Sequence, residues 1–451
     1  MAQQARRPGR LIILKLGDKG LPVIWLQERL HSLGYDVGAI DGIYGFLTEE
    51  CVRSLERDFG LAVDGMAGPR VINLLQDSEI GAHRIVHLVE RDIALAEIAD
   101  KYGIAKEAIW LWNRGLRGKE RIEGGTRLAL HRRTIWGVVL GEMLPGAKYP
   151  WQDVLPQLSG LLLYSFSLSN SGEVEGHIPE NIYETAKANQ IKVIPVISNR
   201  HRETYDESAV HMLLRQGNAR RMLLDTVKDL VKDSLVYGIA LDIQGVCMGY
   251  GRRFGALVGT LRELVQRHGK KLYTTLRPQG DDRRLLPRHV DPRVWVSLPH
   301  RVILQLAWEY SSKGPGPRLG MESLKSQLGK VAGYIPCWKL IVILPVNGIA
   351  WKMNDSKKDY AYLTYDDVRK IAYSKQAKVK WDEQERIPYY DYVDQGDCFR
   401  VWFENRDSID TKLRWLSRQH LSGLAVMPMG SEDSRIWKEL HKHFIKAEHS
   451  G

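Results

Sequence analysis

Apolar and polar positions change rhythm twice along the chain. Between residues 17 and 75, Val23, Leu26, Leu30 and Leu33 recur at the spacing of one helix face, and Gly34 follows as a stop. A second helix is predicted from Thr48, turning Val52, Leu55 and Phe59 inward and ending at Gly60. The segments IDGIYG and VDGMAGP each set an Asp before a Gly, which is the chemistry of a tight turn. From residue 84 to 132 the pattern reads strand, helix, helix, strand. There Leu95, Ile98, Ala99 and Tyr102 share one face closed by Gly103, and Ala108 to Asn113 begin the next helix.

From residue 134 the rhythm becomes short apolar runs separated by helical stretches. The runs are IWGVVLG (135–141), GLLLYSF (160–166), KVIPVI (192–197), YGIALDI (237–243), KLYTTL (271–276), RVILQLA (301–307), LIVILPV (340–346) and GLAVMP (423–428). Buried parallel strands read as continuous apolar runs, so this alternation predicts an α/β fold, a closed (β/α)8 barrel of the TIM type. An insertion of mixed character precedes the last run. In it YYDYVDQGDCFRVWFEN (389–405) predicts a hairpin turning at Asp394-Gln395-Gly396. The expected organisation is a basic tail (1–11), a small three-helix domain (12–79), a βααβ module (80–133) and the barrel (134–451).

Composition narrows the function more than the fold. The 451 residues are 44% hydrophobic and 26% charged, ample for packed cores, and the formal charge of +11 favours anionic partners. Lys and Arg are scattered without a long basic run, which argues against nucleic acid. The four cysteines form no CxxC pair, so neither a zinc site nor a disulfide framework is indicated, and a reducing compartment of synthesis fits. HKH (441–443) and His131 lack companions for a metal, and no cofactor motif is present; GYGRRFG (249–255) departs from GxGxxG and reads as loop glycines. The apolar run Leu11–Leu14 is too short for a signal-peptide core, and no window has the length of a membrane span.

The fourth apolar run carries the chemistry. Asp242 and Gln244 lie two residues apart, so they face the same side of that strand. In a parallel barrel the C-terminal strand ends hold the working residues, which places both at the mouth. An amide has no acidic proton near neutral pH, so Gln244 cannot serve as a general acid.

Three resemblances follow from these residues. Residues 17–75, with their repeated xDGxxG loop, resemble the peptidoglycan-binding domain family, which implies Asp41, Gly42, Tyr44 and Asp64 as residues of a binding module. Residues 84–132 resemble a LysM module through IEGGTRLALH and Asn113. Its loop, usually close to GDTL, is here Asp92-Ile93-Ala94-Leu95, so both glycan binding and a spacer role stay open. Residues 134–440 resemble family 18 glycoside hydrolases, above all spore-cortex N-acetylglucosaminidases. The stretches KVIPVISN, YGIALDIQGV, AWEYSSKGPGP, ILPVNGIAW and GLAVMPMGSEDSRIW carry that likeness.

The third resemblance implies substrate-assisted hydrolysis, in which a Glu protonates the leaving oxygen and an Asp two residues earlier orients the substrate's acetamido group. Asp242 matches that Asp, and Gln244 stands where the Glu belongs; losing a general acid costs about 10²–10⁴ in rate. Further departures are Met427 for the aromatic floor on strand eight, Asn347 for the Tyr after strand seven, Trp308 and Glu309 for the Tyr and acid after strand six, and Ala240 for an Asp or Asn. Trp308 suits stacking on a sugar, and Glu309 and Glu142 are the acids near strand ends. The expectation is a non-catalytic relative, with an active N-acetylglucosaminidase as the alternative. Its implied partners are peptidoglycan or other N-acetylglucosamine-containing glycans, together with other spore-coat proteins. It needs no cofactor or metal, and its implied site is the spore envelope of a spore-forming bacterium, reached without an ordinary signal peptide.

Overall fold

The computed structural model describes residues 13–77, 80–141, 154–169, 171–201, 204–278, 290, 295, 297–306, 314–353 and 359–447. The described chain divides into two compact units that part between Arg132 and Arg133.

The N-terminal unit begins with three helices, Leu21–Ser32, Phe46–Asp58 and Pro69–Leu75. Their inward faces are the apolar periodicity made solid: Val23, Leu26, Leu30, Val52, Leu55 and Leu74 are fully buried. The two Asp-Gly loops need glycine, since Gly42 and Gly65 both sit at φ 73°. A Cβ at Gly42 would also lie 2.9 Å from Ile24. There follow a strand Arg84–Leu88, helices Leu95–Tyr102 and Lys106–Trp112, and the strand beginning at Arg127, whose residues 127–131 pair antiparallel with residues 84–88.

In the second unit eight strands close a ring, each parallel to its neighbours. In order they are residues 134–140 of the strand Arg127–Leu140, Gly160–Leu168, Lys192–Ser198, Gly238–Asp242, Lys271–Leu276, Arg301–Leu304, Leu340–Pro345 and Gly423–Met427. The fold is an α/β barrel of the TIM type. The sixth strand is shorter than its apolar run, and Ala307 at the end of that run falls outside the described residues.

Inward-facing side chains alternate along each strand and fill the barrel: Trp136, Val138, Leu162, Ile194, Val196, Ala240, Tyr273, Ile303, Ile343 and Ala425 form one buried cluster. Burying an aliphatic side chain of this size contributes roughly 1.5–3 kcal/mol. Gly160 makes room for the indole of Trp136, from which a Cβ there would be only 2.5 Å. The larger cluster lies between the strands and the surrounding helices.

Between the seventh and eighth strands the chain builds a five-stranded antiparallel sheet. Its hairpin, Ile387–Asp394 with Asp397–Trp402, reverses at Gln395 and Gly396, both at positive φ as a two-residue turn of this kind requires. Thr364 caps the helix Tyr365–Ser374, accepting from the Asp367 N–H at 3.1 Å, and Val368 on that helix packs with Tyr390, Val401 and Phe403.

Candidate functional site

Strand alternation carries the inward parity of Ala240 on to Asp242 at the end of the fourth strand, where the carboxylate is completely buried. Each of its oxygens accepts two hydrogen bonds. Oδ2 takes the Ser198 hydroxyl at 3.1 Å and the Tyr205 hydroxyl at 3.1 Å; Oδ1 takes the Gln244 amide at 3.0 Å and the Thr275 hydroxyl. An ionised carboxylate offers about four lone-pair sites, so its accepting capacity is filled by this chain's own side chains. The carboxylate cannot donate, which fixes the Nε2 of Gln244 toward Asp242. The same Nε2 also lies 3.3 Å from the Thr275 oxygen.

The backbone of Gln244 is held equally firmly. Its N–H donates to Asn199 Oδ1 at 2.9 Å, and its carbonyl accepts from Asn199 Nδ2 at 3.0 Å. Asn199 is buried and donates as well to the carbonyl of Asp206, which in turn caps the helix Glu207–Arg215 through the N–H groups of Ser208 and Ala209. A single Asn thus ties the third strand to the loop bearing Gln244.

Around this pair lie tyrosines and arginines. Burial, reinforced by the Asp242 charge, holds the hydroxyls of Tyr164 and Tyr205 well above the ordinary tyrosine range, so both remain proton donors. Gln305, at the end of the sixth strand, donates to the Tyr164 hydroxyl at 2.5 Å. The Arg277 guanidinium stands 5.6 Å from the centre of the Tyr205 ring.

Of the residues proposed for the cleft, Met427 ends the eighth strand, is half-buried and packs against the cluster inside the barrel. Asn347 is buried; its carbonyl accepts from Arg318, and its amide donates to the Gly348 carbonyl at 3.2 Å. Burial lowers Arg318 to about 10, and its guanidinium lies 4.9 Å from the Tyr362 ring centre. Glu142, Trp308 and Glu309 lie outside the described residues. Ser198, Tyr205 and Thr275 were not singled out in the sequence. Thr275 shares the inward parity of Tyr273, whereas Tyr205 lies on the two-residue strand Thr204–Tyr205 of a short hairpin after the third strand, where no local signal marks it.

In the N-terminal module, Asp41 and Asp64 are exposed turn residues. Asp41 accepts from Gln27 at 3.0 Å and from the Ile43 N–H at 2.8 Å, and the Gln27 bond, followed by that N–H, lowers its pKa. Asp64 accepts from the Met66 N–H at 2.8 Å. Tyr44 is buried and donates to the Gly65 carbonyl at 2.9 Å, joining the two loops. Beneath them Glu56 accepts from the Asp64 and Gly65 N–H groups at 3.1 and 2.9 Å, and burial pushes its carboxyl up to about 7. Phe46 and Leu47 beside the first loop are 77% and 63% exposed. In the following module Asp92 accepts from the Gly124 N–H at 2.9 Å, and Asn113 exchanges 2.8 Å bonds with the backbone of Ala129.

Among the described residues no group of acids, histidines and cysteines could hold a metal, and no helix is long and apolar enough to cross a membrane. The second unit is thus a closed parallel barrel with an Asp and an amide side by side at its fourth strand, and a small helical domain precedes it in sequence. Residues 320–432 match the family "Glycosyl hydrolases family 18", and residues 19–75 match the family "Putative peptidoglycan binding domain". The chain thus carries a family 18 glycosyl hydrolase match within the barrel, over the seventh and eighth strands and the sheet between them, and a peptidoglycan-binding domain match before it.

Among its relatives is the "Putative sporulation-specific glycosylase YdhD" of Bacillus subtilis, 20% identical over 83% of this chain and 91% of that protein. Another is the cortical fragment-lytic enzyme of Bacillus subtilis, 20% identical over 65% of this chain and 69% of that protein. The fold is shared with the spore cortex-lytic enzyme SleL of Bacillus megaterium, at a TM-score of 0.62 and 15% identity, covering 88% of this chain and 97% of that one.

Proposed function

We propose that this chain is a peptidoglycan-attached protein of the spore envelope whose family 18 barrel does not hydrolyse glycan. The observation that carries the reading is the closed arrangement at the end of strand four. Gln244 has no proton to give a leaving oxygen, and its amide, with Ser198, Tyr205 and Thr275, saturates the carboxylate that would otherwise hold an acetamido N–H. Asn347, tied to Arg318, and Met427 in the barrel cluster support the same reading, because neither presents an aromatic ring to a sugar.

Attachment is assigned to residues 12–79, where the two Asp-Gly loops are braced from beneath and flanked by exposed apolar side chains. The segment 80–133 is read as LysM-like. The internal bonds of Asp92 and Asn113 favour a structural over a sugar-contacting role for those two side chains.

The relatives' names, cortical fragment-lytic enzyme and spore cortex-lytic enzyme, support cortex peptidoglycan as the polymer and the spore envelope as the place. Deleting residues 1–79 should abolish co-sedimentation with purified sacculi. Binding by residues 80–451 as tight as that of the full chain would move the anchor elsewhere.

A further inference from the structure

On the outer side of the barrel, three helices enclose a cleft of about 380 Å³. Arg215 is the last residue of the helix Glu207–Arg215, Arg220 and Leu224 belong to Gly217–Leu230, and Arg253, Ala256 and Leu257 belong to Gly251–Arg267. Among the described residues the lining includes no carboxylate, and none of the three arginines forms an ion pair. Arg220 donates to the Leu214 carbonyl at 3.0 Å, and Arg253 lies 5.4 Å from the centre of the Tyr250 ring, while Arg215 is exposed and has no side-chain hydrogen bond among the described residues. A second cavity of this unit, about 500 Å³ beside Tyr365, is different. Its Arg435 is already paired with Asp433 at 2.8 Å and donates to the Tyr365 hydroxyl.

Three guanidinium groups around one concavity repel one another, and an anion relieves that repulsion. Arginine's planar fork binds carboxylate oxygens in pairs. Leu257, buried, and Leu224, half-buried, give the cleft apolar surface, beside the exposed Ala256 methyl group and Thr260, whose hydroxyl donates to the Ala256 carbonyl at 3.0 Å. We infer that this cleft is a second contact with the wall polymer and takes the carboxylate-bearing stem peptides of peptidoglycan, an inference that rests on the attachment reading above. A stem peptide offers carboxylates for the arginines and alanine methyl groups for that apolar surface. A polymer of glycerol phosphates offers the charge without the methyl groups, and is the less complementary partner.

The test uses the full-length chain and a soluble disaccharide–tetrapeptide muropeptide, the same compound with its carboxylates amidated, and poly(glycerol phosphate). Affinity and hydrogen exchange are read for the native chain and for Arg215→Gln/Arg253→Gln. Arg220 is left in place because it caps a helix. The expected result is slowed exchange in 207–230 and 251–267 with the muropeptide. The double variant, and the amidated ligand on the native chain, should each bind at least about tenfold more weakly, as loss of charge-assisted contacts predicts. Unchanged affinity in the double variant, slowing confined to 17–75, or binding of poly(glycerol phosphate) alone would overturn the cleft. Co-sedimentation with sacculi is scored in the same samples. Its absence for the native chain sinks the attachment reading and the inference built on it, while its retention beside unchanged muropeptide affinity sinks the cleft only.

Discussion

Replacing Gln244 by Glu puts a second carboxyl against Asp242, and its consequence for stability can be worked from the geometry. The amide nitrogen lies 3.0 Å from Asp242 Oδ1, so a carboxylate there would repel its neighbour by about 5 kcal/mol at an effective dielectric near 20. That exceeds the cost of retaining one proton, so the folded pair holds a proton at neutral pH. Keeping a carboxyl protonated at pH 7 against an unfolded pKa of about 4.3 costs about 3–4 kcal/mol.

The sign follows from linkage. The folded pKa is raised, so the variant's stability is whole below about pH 4 and is lost as pH rises toward the folded value. At pH 4 the protonated Glu donates to Asp242 as the amide did, and the variant should melt with the native chain. At pH 7 its Tm should be lower by about 5–10 °C, with the native chain as reference at each pH. Thermal melts from pH 4 to pH 8 provide the assay. Equal melting of the two proteins across that range would refute the close amide–carboxylate contact.

Two further outcomes are expected. Burial raises Glu56 to about 7, so the stability of the N-terminal module should fall as pH rises from about 4.5 to about 7, and Glu56→Gln should flatten that slope in melts of the full chain. An unaltered slope would place the titration on another group. Lys412 and Glu404 are buried together, with Nζ–O distances of 2.7 and 2.8 Å, and Lys412→Met should cost about 3–5 kcal/mol in denaturant unfolding because it strands a buried charge. Lys412→Met/Glu404→Leu should regain most of that loss; a double variant as unstable as the single would mean that shape rather than charge is at stake.

Much of this architecture was legible along the chain because parallel barrel strands are buried on both faces. The runs from Ile135 to Met427 therefore stand out as unbroken apolar segments. Asp242 and Gln244 were legible as partners because they are two residues apart and their contact is local, although the strand ends at Asp242 and Gln244 stands on the loop just beyond it. Ser198, Thr275 and Tyr205 reach the same carboxylate from the third strand, the fifth strand and the short hairpin after the third strand, and only the closed register brings them together. Asn113 stood out in the sequence only as a mark of the LysM resemblance. Its bonds to Ala129 depend on how the strand from Arg127 folds back, which no local pattern encodes. The arginine cleft was hidden for the same reason, since Arg215 and Arg253 are ordinary helix-surface residues until their helices lie side by side.

The most direct measurement is release of reducing ends from cortex muropeptides by the native chain, run beside Asp242→Asn as a control for contaminating hydrolase. With Gln244 in the acid's place and Asp242 saturated, the native chain should release no more than Asp242→Asn does. Turnover by the native chain that disappears in Asp242→Asn would contradict the non-hydrolytic reading and make the barrel an enzyme.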